Sequence, residues 1–132
     1  MSDKKYKFLS QPRRVVEDRR FVVGKGRYIA DYDHADMAHV ALLPCHLPAA
    51  TIDDIDTSAA LAMPGVIDVV TGAELAAAIG PLMNGLDTPN VRRYPLAVGQ
   101  VRYAGEWVCA VIAESRAVAE DAAEKIRLQT TA

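Results

Sequence analysis

Residues 66–81 read Val66-Ile67-Asp68-Val69-Val70-Thr71-Gly72-Ala73-Glu74-Leu75-Ala76-Ala77-Ala78-Ile79-Gly80-Pro81, and this stretch decides the class of fold. Its first five residues are largely β-branched and suit a pleated, half-buried strand. Thr71 then stands three residues before Glu74. That is the spacing of a capping box, in which each side chain satisfies a backbone N–H that a helix start leaves without a partner. The helix so begun is predicted to run through Ile79. Gly80 and Pro81 end it in the expected order, a glycine just past the end and then a residue that cannot continue a helix. A strand that passes directly into a capped helix belongs to an α/β or α+β domain.

Toward the N-terminus, Asp56 is placed to cap a short helix over Thr57–Ala62, which Pro64-Gly65 stops. Thr51–Ile55 alternates weakly and reads as a strand. Met37–Leu43 is continuously apolar up to Pro44 and reads as a buried strand. Further out, Phe21-Val22-Val23 suggests a short strand, Gly24-Lys25-Gly26 a turn and Arg27–Ala30 a return strand, followed by a polar loop from Asp31 to Asp36. Residues 1–14 read as extended and irregular, with Pro12 against helix.

Toward the C-terminus, residues 81–99 hold Gly85, Pro89, Pro95 and Gly99 without periodicity. A loop of that length in a compact domain is usually functional or packed on a partner. Its apolar Leu82, Met83, Leu86 and Val91 point to an interaction surface. Val101–Tyr103 and Trp107–Ala113 read as strands linked through Gly105-Glu106. Ser115 caps a last helix whose Ala119, Ala122, Ala123 and Ile126 share one face, and Ile126–Leu128 begins a final strand. The expectation is an α/β (α+β) domain of short strands covered by two or three helices, spanning 15–132 behind a basic arm, 1–14. No internal repeat is visible.

The chain has 132 residues, enough for one domain with one core. With 51% hydrophobic residues and a net charge of only -2, disorder over the whole length is excluded. Lys4, Lys5 and Lys7 are followed by no apolar stretch, so no secretory signal is expected, and prolines interrupt every run that could span a membrane. Two cysteines, Cys45 and Cys109, cannot make a disulfide framework and fit a reducing, cytoplasmic setting. Charge is unevenly spread: residues 1–30 sum to +6 and residues 31–132 to -8. Such an arm either docks on an acidic surface or stays a solvated terminus.

Few residues are spaced for chemistry. Gly24-Lys25-Gly26 lacks the third glycine and the helix that a dinucleotide fingerprint needs, since position 29 is Ile. Asp31, Asp33 and Asp36 lack the glycine and glutamate of a calcium loop, with Asp36 and Leu42 in those places. Cys45, His46, His34, His39 and Cys109 have no ligand spacing. His39 lies inside an apolar run and reads as structural, and Ser115 is used as a cap. The basic arm, with Arg13, Arg14, Arg19 and Arg20, precedes an acidic body that repels phosphates, which argues against nucleic acid. No catalytic, cofactor-binding or metal-binding residue is assigned.

Read in order, several segments resemble one family. Val16–Asp31 is similar to the opening of the large, molybdenum-bearing subunit of the xanthine dehydrogenase, aldehyde oxidase and carbon monoxide dehydrogenase family. Ile55–Ala60 followed by Met63–Val66 looks like its "IDTS…A…PGV" segment. Thr71–Leu75 looks like its "TGADL", and Val101–Val108 like "VRYVGEPVA". Ala119–Glu124 resembles the helix that follows. The matches cover residues 12–128 and lie nearer the bacterial branch than animal xanthine dehydrogenase. Cys45–Ile52 departs from the family's "SPYAHARI". The family's "YE-x-LP" linker does not follow Gln129, so the chain is expected to be a fragment or a split-gene part.

The resemblance implies an α/β-hammerhead domain with a mixed sheet, acting as a structural and interaction domain of a molybdenum hydroxylase. It implies a molybdenum–molybdopterin cofactor in the rest of the subunit, and 2Fe-2S and FAD groups in partner subunits or domains. The partners implied are that remainder and the iron–sulfur and flavin subunits, with no membrane. The alternative is a free-standing hammerhead-fold binding module.

Overall fold

The structure is a computed structural model that describes residues 15–82 and 92–131. The chain divides into two compact units, Met1–Ala35 and Asp36–Ala132, each of which has its own organisation.

In the first unit, a five-residue helix α1 (Asp18–Val22) is followed by a turn and a single 3-10 turn at Ile29–Asp31. The expected strands at Phe21–Val23 and Arg27–Ala30 are therefore replaced by helical turns. β-branched residues favour a strand only where a partner strand receives their backbone groups. Here local contacts satisfy the backbone instead. Asp18 accepts from the Val15 N–H at 3.1 Å, Asp31 accepts from the Tyr28 N–H at 2.8 Å, and Glu17 pairs with Arg20. The expected turn is present, with Gly24 at φ 69 just beyond the helix end. Phe21 and Tyr28 stack with ring centroids 5.8 Å apart, and the Phe21 ring lies against Gly26, where a Cβ would meet it at 2.6 Å.

The described residues of the second unit contain six strands: β1 (His39–Pro44), β2 (Ala50–Asp56), β3 (Val66–Thr71), β4 (Gln100–Val101), β5 (Trp107–Ala113) and β6 (Arg127–Thr131). They form two antiparallel three-stranded sheets rather than one mixed sheet, in the orders β1-β5-β3 and β4-β2-β6. Odd strands make one sheet and even strands the other, so the chain changes sheet at every connection. The first change follows Pro44, where the β1–β5 register shifts and the ladder stops. Within the class expected, this division is what the sequence left open.

The same described residues form three helices: α2 (Ser58–Leu61), α3 (Gly72–Ile79) and α4 (Arg116–Ala123). The starts of α3 and α4 follow the predicted chemistry, whereas at α2 the N-cap is Thr57 rather than Asp56 and carries no side-chain cap bond. The Asp56 carboxylate accepts from the Ser58 N–H at 3.0 Å. The Thr71 N–H donates to Glu74 Oε2 at 2.8 Å, and the Glu74 N–H to Thr71 Oγ1 at 3.4 Å. Ser115 Oγ accepts from the Val118 N–H at 3.3 Å. Ala119, Ala122, Ala123 and Ile126 are all buried, as their spacing predicts. The alanines bring α4 close against the first sheet, over Ala41, Leu43, Val69, Cys109 and Val111.

The strand expected at Val101–Tyr103 stops at Val101. The Arg102 N–H donates to the Glu106 carboxylate at 2.6 Å instead of to a strand, and Gly105, at φ 88, turns the chain into β5. Ahead of it, Leu96 and Ala97 are buried, and the Ala97 N–H donates to the Trp107 carbonyl at 2.7 Å. The end of the 81–99 loop thus packs into this chain's own core, and residues 83–91, with Met83, Leu86 and Val91, lie outside the described residues.

The Ala97 carbonyl also fixes one residue identity. A Cβ at Gly72 would stand 1.9 Å from that oxygen. Gly72→Ala is expected to cost about 3 kcal/mol, the upper end of overpacking penalties, because a backbone carbonyl cannot rotate aside. The gain in helix propensity, about 1 kcal/mol, does not offset it. The net loss of about 2 kcal/mol should appear as a melting temperature lower by about 10 °C, and an unchanged melt would contradict the close approach.

The capping box yields a pH dependence. Hydrogen bonds from the Thr71 N–H and then its hydroxyl hold Glu74 below its ordinary value of 4.5. A carboxylate made more acidic by folding contributes stability that is present above its unfolded pKa and is lost as pH falls through its folded pKa. The stability gap between the native chain and Glu74→Gln should therefore be widest at neutral pH and close below pH 4.5, as read from thermal melts in a pH series.

Candidate functional site

The residues weighed for chemistry do not converge. Gly24-Lys25-Gly26 forms a turn followed by no regular α-helix, and Asp31 is used in the 3-10 turn. Cys45 is buried and its neighbour His46 is exposed, while His39 sits in β1 opposite Ala113. Among the described residues, no three His, Cys, Asp or Glu side chains are grouped to hold a metal ion. Among the same residues, no buried side-chain nitrogen or oxygen lacks a hydrogen-bond partner, so none is aimed at a missing group. Arg13 and Arg14 lie outside the described residues.

Cys109 is the most buried reactive group. Its Sγ donates to the Val70 carbonyl at 3.3 Å, and burial pushes its pKa up to about 11. The thiolate is the nucleophile, and a buried thiol in apolar surroundings is inert.

What the fold does present is an incompletely covered sheet. β1 and β5 are apolar at nearly every position, the pattern of strands buried on both faces. Cross-strand partners share a face, so the register sorts them. Ala41, Leu43, Val69, Cys109 and Val111 face α4 and the core. Val40 pairs with Ile112, Leu42 and Val70 both pair with Ala110, and these five lie on the opposite face, outside the core, with the exposed Asp68 beside Ile112 at its β3 edge. Val40 is 59% exposed and Leu42 37%, and Val70, Ala110 and Ile112 are partly exposed. A contiguous apolar strip of this kind on a sheet is unlike scattered surface leucines and marks an interaction site. The signal was present in the unbroken apolar runs, which call for cover on both faces where this domain supplies it on one.

A second surface is polar. Arg92, Arg93, Tyr94, Gln100, Arg102, Tyr103 and Glu106 line an open concavity of about 920 Å³ beside Leu82. The two Arg-Tyr dipeptides, at 93–94 and 102–103, were its trace in the sequence.

The fold agrees with that of known proteins. Residues 23–130 match the family model described as aldehyde oxidase and xanthine dehydrogenase, a/b hammerhead domain. The chain belongs to this family. The hammerhead chain is 38% identical over 117 residues to the nicotine 6-hydroxylase large subunit of Paenarthrobacter nicotinovorans, covering 86% of this chain and 14% of that protein. It is 35% identical over 115 residues to the carbon monoxide dehydrogenase large chain of Hydrogenophaga pseudoflava, with the same coverage of 86% and 14%. Its fold superposes on the structure of quinoline 2-oxidoreductase from Pseudomonas putida 86 with a TM-score of 0.80 at 39% identity, covering 88% of this chain and 15% of that one. The hammerhead chain thus spans about one-seventh of the length of the curated relatives it matches. The family uses a molybdenum–pterin centre, iron–sulfur clusters and flavin, and among the described residues no three His, Cys, Asp or Glu side chains are grouped as metal ligands for such centres.

The inertness of Cys109 can be measured. At pH 8 a thiol of pKa about 11 is ionised in about one molecule in a thousand, about a hundredfold less than one at the ordinary 9.0. Disulfide-exchange labelling of the native chain should be slower than that of the unfolded chain by at least this factor, and prompt labelling of Cys109 would contradict its burial.

Proposed function

We propose that this chain is the docking domain of the large subunit of a molybdenum-dependent hydroxylase, an oxidoreductase acting on aldehydes, N-heterocycles or carbon monoxide. It contributes no catalytic, cofactor-binding or metal-binding residue. The single observation that carries the reading is the open apolar face of Val40, Leu42, Val70, Ala110 and Ile112 on a strand set patterned for burial on both sides. The remainder of the subunit covers that face. Burial of apolar area stabilises by roughly 25 cal/mol per Å², enough for such a strip to hold a permanent interface.

In this reading the molybdenum–molybdopterin group belongs to the remainder of the subunit, and 2Fe-2S and FAD groups to partner subunits or domains. The large chains of nicotine 6-hydroxylase and carbon monoxide dehydrogenase support it, since this chain corresponds to a short stretch of each. The first unit docks as well. Among the described residues 15–35 the apolar Val16, Val22 and Ile29 are almost wholly exposed, which suits contact with a partner. The basic arm, 1–14, precedes it and adds electrostatic attraction to an acidic surface. The setting is cytoplasmic, which the two free buried thiols support. Among the described residues, no helix is long and apolar enough to cross a membrane.

The test is Val40→Asp with Leu42→Asp in the complete hydroxylase. Both side chains are exposed in this chain, so its own melt should shift by no more than the small amount usual for surface changes, about 0.5 kcal/mol each. The assembled enzyme should lose thermal stability and bound molybdenum. Unchanged assembly and metal content would refute the docking role.

A further inference from the structure

The concavity lined by Arg92, Arg93, Arg102, Tyr94, Tyr103 and Glu106 shares no residue with the sheet face. Its composition is at odds with the domain around it. Residues 36–132 hold six cations against twelve carboxylates, a balance of -6. Three of those six cations line this one hollow. Of the others, Arg116 is paired with Glu120 at 2.8 Å, and Arg127 lies opposite Asp56 in the β2–β6 ladder. Among the described residues, Arg92 and Arg93 form no ion pair, and Arg102 stands 3.7 Å from Glu106. Glu106 is committed on its other oxygen to the Arg102 N–H at 2.6 Å. The hollow is therefore a positive island on a negative surface.

Its framework is fixed although its tips are exposed. The Leu82 N–H donates to the Arg93 carbonyl at 2.8 Å. Leu96 and Ala97 anchor the strand of chain behind Tyr94, and Val101, next to Arg102, is 2% exposed. The arginines are thus presented from backbone held by the core. Tyr103 is 61% exposed at its rim.

We propose that this hollow seats a carboxylate-bearing segment of a separate subunit of the hydroxylase. The inference rests on the docking-domain reading and names a second partner for the domain. Two contrasts carry it. An interface that is never taken apart is apolar, like a core cut in half, and the sheet face has that character. An interface between separately folded chains is more polar and enriched in arginine and tyrosine at its centre, which describes this hollow. The partner's sign follows from charge complementarity, because an acidic segment is attracted here and repelled by the rest of the domain. Arginine presents its donors in a rigid fork that engages a carboxylate with two parallel hydrogen bonds.

The test uses the complete, purified hydroxylase. Arg92→Lys, Arg93→Lys and Arg102→Lys are made singly. Each keeps the charge and adds an amine that carbodiimide joins, without a spacer, to a carboxylate in contact with it. The proposal expects cross-links from these positions to Asp or Glu of a different subunit, suppressed by high salt and absent from the unsubstituted enzyme. It also expects Arg92→Glu with Arg93→Glu to weaken that subunit's retention at least tenfold at low salt, while Lys125→Glu, the same change of charge outside the hollow, leaves it unaltered. Cross-links confined to Glu106, or none, would overturn it. Cross-links to the remainder of the large subunit would also overturn it, by making the hollow part of the permanent interface. Failure here leaves the sheet-face variants free to succeed, and failure of those variants leaves the cross-link result standing on its own.

Discussion

β5 hydrogen-bonds along both of its edges, to β1 on one side and β3 on the other, and the rest of the second unit depends on those two ladders. Val108, Cys109, Val111 and Ala113 are fully buried on it. The helix after it begins at the Ser115 cap and turns back over the same sheet, so the strand also places the helix that covers it. The loop before it returns Ala97 to the Trp107 carbonyl, which brings the Ala97 oxygen against Gly72 at the start of α3. One strand thereby sets the position of two other strands, two helix starts and the end of a long loop.

That arrangement leaves a division of labour on the surface. The face of the first sheet toward α4 is closed by alanines small enough to sit on it. The opposite face has an apolar strip and no such cover among the described residues. The positive hollow, by contrast, is polar and framed by core-anchored backbone. One apolar and one charged surface, with no convergent set of metal-ligating side chains among the described residues, suit the docking role proposed for this domain.

Legibility in the sequence followed the range of the interactions. Thr71 with Glu74, Asp56 with Ser58, and Ser115 with Val118 act within three residues, and each was readable because the partner is fixed by spacing. The apolar face of α4 was readable for the same reason. Phe21-Val22-Val23 misled because its composition suits a strand, while local backbone hydrogen bonds such as Phe21 N–H to the Glu17 carbonyl, with no partner ladder among the described residues, make it helical. The division into two sheets was not legible, because which strand pairs with which is decided between residues as far apart as His39 and Ala113. The apolar strip was half legible: the runs were visible, but which side α4 covers emerged only from the register. The hollow was not foreseen at all, since its two arginine–tyrosine pairs are separated by seven residues and meet through the fold.

The alternation of successive strands between two sheets has a consequence for how the chain reaches this structure. Among the described residues no two consecutive strands are ladder partners, so neither sheet can start from a hairpin of neighbouring strands. The first sheet lacks its middle strand until β5 has been synthesised, and the second lacks an edge until β6, close to residue 131. Closing such long loops carries an entropic cost before the contacts they allow are gained, so contact order is high and folding slow for the domain's size. On the ribosome, β1 to β4 emerge with apolar runs exposed and no complete sheet, a state prone to association. Internal truncation would for the same reason leave neither sheet intact, and the unit is expected to fold and unfold as a whole or not at all.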